Sequence, residues 1–402
     1  MIPVLVLNAG SSSLKYQLLD LAEGAAEQVC ASGLVERIGE DEGRLVHRGA
    51  GAEPLTESGK IPDHAVALDR VLAAFERTGG LTEAPFAVGH RVVHGGDRFS
   101  GPTVVDDDVL EEIRELVPLA PLHNPANIAG IEVARARYPD TPQVAVFDTA
   151  FHAAMPPHAW RYALPRDLAD RLRIRRYGFH GTSHGYVART AAAHLRRPLA
   201  DLALVTLHLG NGCSAAAVAG GRSIDTSMGL TPLGGLVMGT RSGDLDPGIV
   251  AHLYREGGLD LDAIDALLNK QSGMKGLAGS NDLREVHVRA DAGDADAAEA
   301  LEVFCYRIRC TVGAYAVALS RLDAVVFTAG IGENDGDVRA RVCAGLGVLG
   351  VEVDEARNTA GSRATRTISA DGSRVAVLVV PTKEELEIAE QTVAVVQATA
   401  RT

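Results

Sequence analysis

The chain opens on Ile2-Pro3-Val4-Leu5-Val6-Leu7-Asn8-Ala9-Gly10-Ser11-Ser12-Ser13-Leu14-Lys15-Tyr16-Gln17-Leu18-Leu19, and this stretch decides the fold. Residues 2–7 suit a buried strand, 8–13 a small polar turn and 14–19 a returning strand. Gly10 and the serines, Ser12 among them, make a turn whose N–H groups and hydroxyls can close on an anion. Lys15 adds a cation on the returning strand. An ordinary Asn/Gly/Ser hairpin has the same composition. What separates the two readings is recurrence: residues 202–209, ending in His208-Leu209, enter Gly210-Asn211-Gly212-Cys213-Ser214 and leave through the small apolar run 215–221. Two such hairpins half a chain apart predict a duplicated α/β architecture, two domains with a nucleotide cleft between them.

The 402 residues, 46% hydrophobic and 23% charged, give room for two domains. A net charge of −13 argues against nucleic acid, and the densest basic run is only Arg173-Ile174-Arg175-Arg176. No apolar run reaches the ~18 residues of a membrane span, and the first residues lack a secretion signal. Cys30, Cys213, Cys305, Cys310 and Cys343 form no paired framework, which fits a reducing, cytoplasmic setting.

In chain order, Leu68, Val71, Leu72 and Phe75 predict a helix over 64–78 closed by Gly79-Gly80. The strand from Phe86 carries Arg91 and Val93; a cation in an apolar strand needs an anion, either a structural partner or a ligand. Helices are expected over 107–117, stopped by Pro118, and over 125–138, opened by Asn124-Pro125 as cap and first-turn proline, with Leu122-His123 between them. The strand 143–147 delivers Asp148 at its C-terminal end, where open α/β sheets bind ligands. A boundary near 150 gives domains 1–150 and 151–384, the last helix, 385–402, returning to the first. In the second half Ser183 reads as the cap of a helix to about 195, and Asp246-Pro247 and Asp260 open further helices. A glycine-rich passage carries Pro232 and Arg241, and a long helix is expected over 294–320.

Several chemistries can be weighed on these residues. Gly210-Asn211-Gly212-Cys213-Ser214-Ala215 matches a dinucleotide fingerprint, but a strand-like run follows where a helix is required. A Walker loop is absent, so hairpins must hold any nucleotide. His180 and His184 stand at i, i+4 without the ligand set of a zinc site. A serine hydrolase lacks its G-x-S-x-G elbow. What remains is two carboxylates near loop ends, Asp148 and Glu384, two isolated arginines, Arg91 and Arg241, and glycine-rich turns in both halves. Phosphoryl transfer needs these parts: oxygens for a metal, cations for the moving group and N–H groups for the other phosphates.

Residues 8–15, His90-Arg91-Val92-Val93-His94-Gly95-Gly96, Phe179-His180-Gly181-Thr182-Ser183-His184, His208–Gly212, Gly330-Ile331-Gly332-Glu333-Asn334 and Pro381-Thr382-Lys383-Glu384-Glu385 occur in an order that resembles the acetate kinase family, of the acetate and sugar kinase, chaperone and actin superfamily. The resemblance runs nearly end to end. It implies an actin-like (ribonuclease H-like) duplicated fold and reversible phosphoryl transfer from ATP to acetate, giving ADP and acetyl phosphate with Mg²⁺ or Mn²⁺. It further implies that Asn8, Asp148 and Glu384 organise the metal, and that Arg91, His180 and Arg241 bind the phosphoryl group in flight, with His123 an additional active-site histidine. Ser12, Lys15, His208, Asn211 and Gly212 would face the ATP phosphates. Asp282, Leu283, Arg284, Gly330, Ile331 and Asn334 would surround the nucleoside, and Val93, Leu122, Phe179 and Pro232 the acetate methyl. A homodimer is implied. Two positions depart from the family pattern: Lys383 stands where Asn is usual and Leu283 where an aromatic is common. A propionate kinase of the same family and an actin-like nucleotide switch are the competing readings. Arg91 and Arg241 speak against the switch, which has no third anion to clamp.

Overall fold

The computed structural model describes residues 2–21, 28–51, 53–78 and 84–401. The chain divides into two compact units, Met1–Ala150 with Lys383–Thr402, and Phe151–Thr382.

The first unit is built on strands β1 (Pro3–Gly10), β2 (Ser13–Asp20), β3 (Gln28–Glu36), β4 (Gly43–Gly49), β5 (Leu55–Gly59), β6 (Ala87–Val92), β7 (Thr103–Val104) and β8 (Gln143–Phe147). They form one sheet in the order β5-β4-β3-β2-β1-β6-β8-β7. β1 and β2 make the expected hairpin, with register from Pro3↔Asp20 to Gly10↔Ser13. β6 lies parallel to β1, and β8 parallel to β6. The period-2 alternation of a strand sends Leu5 and Leu7 into one core with Leu68, Val71 and Phe75. Val4 and Val6 enter another with Val144, Val146 and Ile388. Covered on both faces, β1 reads as an unbroken apolar run.

Helices α1 (His64–Thr78), α2 (Asp107–Glu115) and α3 (Asn124–Arg137) serve this unit. The Gly79-Gly80 stop lies outside the described residues. Two expected helix ends are corrected. α2 finishes at Glu115, before Pro118, which sits in the 3₁₀ turn Val117–Leu119. Asn124 is the first residue of α3 rather than its cap; His123 holds the cap position, and no side chain caps it. The Asn124 amide is engaged with the His94 peptide instead.

The second unit contains β9 (Ala203–Leu209), β10 (Cys213–Ala219), β11 (Arg222–Thr226), β12 (Ala324–Thr328), β13 (Arg366–Thr367) and β14 (Ala376–Val379), in the order β11-β10-β9-β12-β14-β13. β9, β10 and β11 are antiparallel neighbours, while β12 runs parallel to β9 and β14 parallel to β12. Strands β3-β2-β1-β6-β8-β7 repeat this pattern in the first unit, β7 lying antiparallel to β8 as β13 does to β14, so the duplication inferred from two hairpins extends to six strands of each sheet.

The helices here are α4 (Pro157–Trp160), α5 (Arg166–Arg171), α6 (Gly181–Leu195), α7 (Gly248–Arg255), α8 (Leu261–Lys270), α9 (Gly273–Ala278), α10 (Leu283–Asp291), α11 (Ala295–Leu319), α12 (Ala329–Asn334), α13 (Gly336–Cys343) and α14 (Glu355–Thr359). Asp260, Asp282, Asp294 and Asp335 cap α8, α10, α11 and α13 through side-chain oxygens. Ser183 is no cap: it lies inside the first turn of α6, and the cap residue is His180, in a left-handed conformation at φ 57°. The Ser183 hydroxyl is turned to His208. The last helix, α15 (Glu384–Thr399), packs with the first unit, where Ile388 and Ala389 join Val4, Val6, Val144 and Val146. No helix of the described residues is long and apolar enough to cross a membrane.

Candidate functional site

In the first unit the parallel strands β1, β6 and β8 bring Asn8, Arg91 and Asp148 to their C-terminal ends. Arg91 donates Nε to both Asp148 oxygens at 3.1 and 3.0 Å and Nη2 to Oδ2 at 2.6 Å. Nη1 reaches the Asn8 Oδ1 at 3.4 Å. Burial works against the Arg91 cation, but the Asp148 carboxylate outweighs it and raises the guanidinium above its ordinary range. Glu384, the first residue of α15, belongs to the same electrostatic group. Burial pushes its carboxyl up, Arg91 opposes the shift, and Asp148 and Glu385 add to it. Glu385 forms an ion pair with Lys15 on β2.

Of the other first-unit candidates, Ser12 is exposed at the β1–β2 turn. Val93 follows β6 directly and is buried. Leu122 is 58% exposed, and His123 stands at the entry to α3.

The second unit gathers His180, His208, Gly212, Pro232 and Arg241. The His180 and His208 rings stack with centroids 4.0 Å apart. Hydroxyls orient both: His180 Nδ1 bonds Ser214 Oγ at 2.9 Å, and His208 Nδ1 bonds Ser183 Oγ at 2.8 Å. Ser183 in turn bonds Thr382. A Cβ added at Gly212 would lie 3.4 Å from the His180 ring and 3.6 Å from Arg241 Nη1, so the Gly212 backbone runs within van der Waals reach of both that imidazole and that guanidinium. Arg241 Nη1 donates to the Pro232 carbonyl at 3.1 Å. Among the described residues no carboxylate pairs with Arg241, and burial lowers its pKa. In this it differs from Arg91, whose guanidinium is paired with a carboxylate.

His184 takes no part in a metal set. Its Nδ1 meets Thr206 Oγ1 at 2.7 Å and its Nε2 meets Ser214 Oγ at 2.8 Å. Burial, then the neighbouring His152 and His208, keep it well below the ordinary histidine range.

Seven candidates, Asn211, Asp282, Leu283, Arg284, Gly330, Ile331 and Asn334, line one open cavity of about 1080 Å³. The turn after β9 contributes Asn211, whose Oδ1 accepts from Asn281 Nδ2 at 3.1 Å. A side chain at Gly239 would collide with that Asn211 oxygen. Asp282 caps α10 and pairs with Arg284 at 2.6 Å. Ala329 opens α12 at φ 64°, a left-handed backbone that a non-glycine residue holds only where its surroundings fix it. Glu333 supplies part of that fixing, accepting from the Ala329 and Thr382 N–H groups at 2.9 and 3.0 Å.

Sequence reasoning missed the groups that orient these residues: Ser214, Thr206 and Ser183 on the histidines, Asn281 on Asn211, and His287, which bonds Asp335 at 2.8 Å in the cavity wall. A serine within a strand or a helix gives no signal of which ring nitrogen it will meet.

The Acetokinase family model matches residues 3–390 of the chain. An acetate kinase of Streptomyces griseus is 58% identical, the alignment covering 98% of this chain and 96% of that one. The crystal structure of Porphyromonas gingivalis acetate kinase superposes with a TM-score of 0.94 at 41% identity, covering 98% of this chain and 100% of that one. A propionate kinase structure from Francisella tularensis gives 0.92, also at 41%, with the same coverage. Matched by the family model over residues 3–390 and by relatives across nearly its whole length, the chain belongs to the acetokinase family.

Proposed function

We propose that the Arg91 cluster of the first unit and the His180–Arg241 cluster of the second carry out phosphoryl transfer from ATP to acetate. Family membership and 55–58% identity to acetate kinases over 98% of the chain make the activity that of an ATP-dependent acetate kinase, a phosphotransferase with a carboxyl group as acceptor. The observation that carries the assignment of residues is Arg241, a half-buried guanidinium beside His180 and Gly212 with no carboxylate partner among the described residues.

Acetate, with a carboxyl pKa near that of Glu at ~4.3, is already ionised at neutral pH, so no general base is needed. Catalysis becomes alignment and charge neutralisation. Arg91, Arg241 and the His180 ring bind the phosphoryl group in flight, and the Gly210–Gly212 turn offers N–H groups to the remaining phosphates. The cavity lined by Asp282, Leu283 and Ile331 has room for a nucleoside. In the first unit Val93 and Leu122 are assigned to the acetate methyl; in the second, Phe179 and Pro232 have the same assignment.

No three His, Cys, Asp or Glu side chains of the described residues converge as a ready-made metal cage. The first unit does offer hard oxygens on Asn8, Asp148 and Glu384, and the raised Glu384 carboxyl is one that a cation would favour in its charged form. These donors fit Mg²⁺, which keeps several waters and takes few protein ligands alongside substrate phosphates. Bound there, it would offset phosphate charge. A homodimer and a cytoplasmic location complete the reading.

The test is incubation with ATP and Mg²⁺, with and without acetate, propionate or butyrate, trapping acyl phosphate with hydroxylamine. Hydroxamate forming most readily with acetate is the expected result. ADP release at one rate with or without acid, and no hydroxamate, would transfer the protein to the nucleotide-switch class. The propionate kinase structure at 41% identity keeps one further reading in view, and the acetate:propionate ratio of kcat/KM decides it.

A further inference from the structure

Beyond Val92 the chain leaves the sheet, and the peptide groups of residues 93–95 lose their ladder partners. Buried backbone groups without partners are costly, so something must replace the strand. Side chains do so. Asn127 Oδ1 accepts from the Val93 N–H at 3.0 Å, and Asn124 pairs with both peptide groups of His94, at 3.2 and 3.1 Å. Thr149 Oγ1 accepts from the Gly95 N–H at 3.0 Å. Asn127 also turns its Nδ2 to the Ala9 carbonyl at 2.7 Å, next to Asn8. Asn127 is 3% exposed and Asn124 fully buried. One buried amide on α3 therefore joins the first hairpin to the backbone that carries Val93, two residues beyond Arg91.

We propose that Asn127 is a positioning residue for the acid substrate: it sets the Val93 peptide, and through it the acyl wall, in register with the Asn8 hairpin. The inference rests on the assignment of Val93 to the acetate methyl. A buried amide with both ends engaged holds one geometry, because rotating it would leave a backbone donor or acceptor unpaired. Removing it frees the Val93 segment and leaves the nucleoside cavity, built from other residues in the second unit, unaltered.

The experiment compares Asn127→Ala, the milder Asn127→Ser and Val93→Ala with Ala134→Gly. This last is a control on the same helix, where Ala134 is buried among core residues. For each, KM for acetate, KM for ATP, the acetate:propionate ratio of kcat/KM and Tm are measured. Both Asn127 variants are expected to raise KM for acetate by about tenfold for Ala and less for Ser, with KM for ATP within about twofold of the parent. The acetate:propionate ratio should fall about threefold or more, as a loosened wall admits a methylene. Ala134→Gly, with a comparable loss of Tm, should leave that ratio in place. Parental acetate KM and ratio in the folded Asn127 variants, or an equal change of ratio in Ala134→Gly, would overturn the proposal. If Val93→Ala also keeps the parent ratio, the pocket assignment falls and the proposal with it; if Val93→Ala shifts it and the Asn127 variants do not, only the proposal falls.

Discussion

Arg91 grips Asp148 through Nε and Nη2, at 2.6 Å in the closest contact, and buries that carboxylate to 1% exposure. The pair fixes a cation at the end of β6 and supplies its counter-charge from β8. Arg241 has a carbonyl where Arg91 has a carboxylate. The two arginines should therefore fail differently.

Arg91→Ala and Arg241→Ala are both expected to lower kcat by roughly 10²–10³, the scale for losing one preorganised charge-stabilising group. Arg91→Ala also leaves Asp148 buried without its partner and should cost about 3 kcal/mol of stability. Arg241→Ala removes a cation disfavoured by burial and should leave Tm unchanged or higher. Steady-state kinetics and thermal unfolding on both variants check this; equal losses of Tm would refute the contrast.

Glu384 gives a pH prediction. Burial raises its folded-state pKa above the unfolded value, so between those two values the folded chain binds more protons and stability falls as pH rises. Glu384→Gln removes that liability. The variant should be inactive yet more stable than the parent at pH 7–8, and the gain should vanish below about pH 4, where the parent's carboxyl is protonated in both states. Denaturant unfolding at the two pH values is the measurement. A stability gain that did not depend on pH would mean that repacking, not ionisation, was responsible.

Ser214 Oγ lies within hydrogen-bond distance of His180 Nδ1 and His184 Nε2 at once. Ser214→Ala should lower kcat about tenfold by freeing the His180 ring, and destabilise by roughly 1–3 kcal/mol because His184 keeps a buried nitrogen without its partner. Ser214→Thr, retaining the hydroxyl, should recover part of the kcat. Wild-type turnover in the alanine variant would show that the stacked His208 ring suffices to orient His180.

Lys383 occupies the N-cap position of α15 and makes no side-chain cap bond. Asn accepts from the first-turn N–H groups and places no positive charge at the positive end of the helix dipole. Lys383→Asn should stabilise the chain by about 1 kcal/mol. A Tm at or below the parent's would argue that Lys383 is held by another requirement.

Leu283 lines the cavity proposed for the nucleoside and is buried at the start of α10. Leu283→Ala should raise KM for ATP several-fold, about 1–3 kcal/mol of lost apolar contact at most, and leave KM for acetate as it was. Parallel increases in both constants would detach Leu283 from the nucleotide.

The leading hairpin of each unit was legible because it rests on local grammar, whereas the order of the remaining strands came only from the structure. The turn after Asn8 and the turn after Leu209 join strands adjacent in sequence, and apolar runs bounded by glycine reveal themselves in a short window. Helix caps were readable where the capping group is a near neighbour, as with Asp260. Local sequence misleads where a side chain serves a distant segment: Ser183 and Asn124 have the residue types of caps, yet Ser183 bonds His208 and Asn124 clasps His94.

By itself the sequence determined the chemical inventory of this protein: two glycine- and serine-bearing hairpins, one arginine in an apolar strand and another in a glycine-rich passage, carboxylates at strand and helix ends, and their order along the chain. It determined these because residue type and short-range periodicity fix local structure and charge. Only the tertiary structure decided which arginine is neutralised, which hydroxyl orients which imidazole, and that Asn127 ties Val93 to Ala9, which lies 118 positions from Asn127 along the chain. Such partnerships are set when strands and helices remote in sequence are packed together, where each buried donor must find an acceptor and the nearest one belongs to another element.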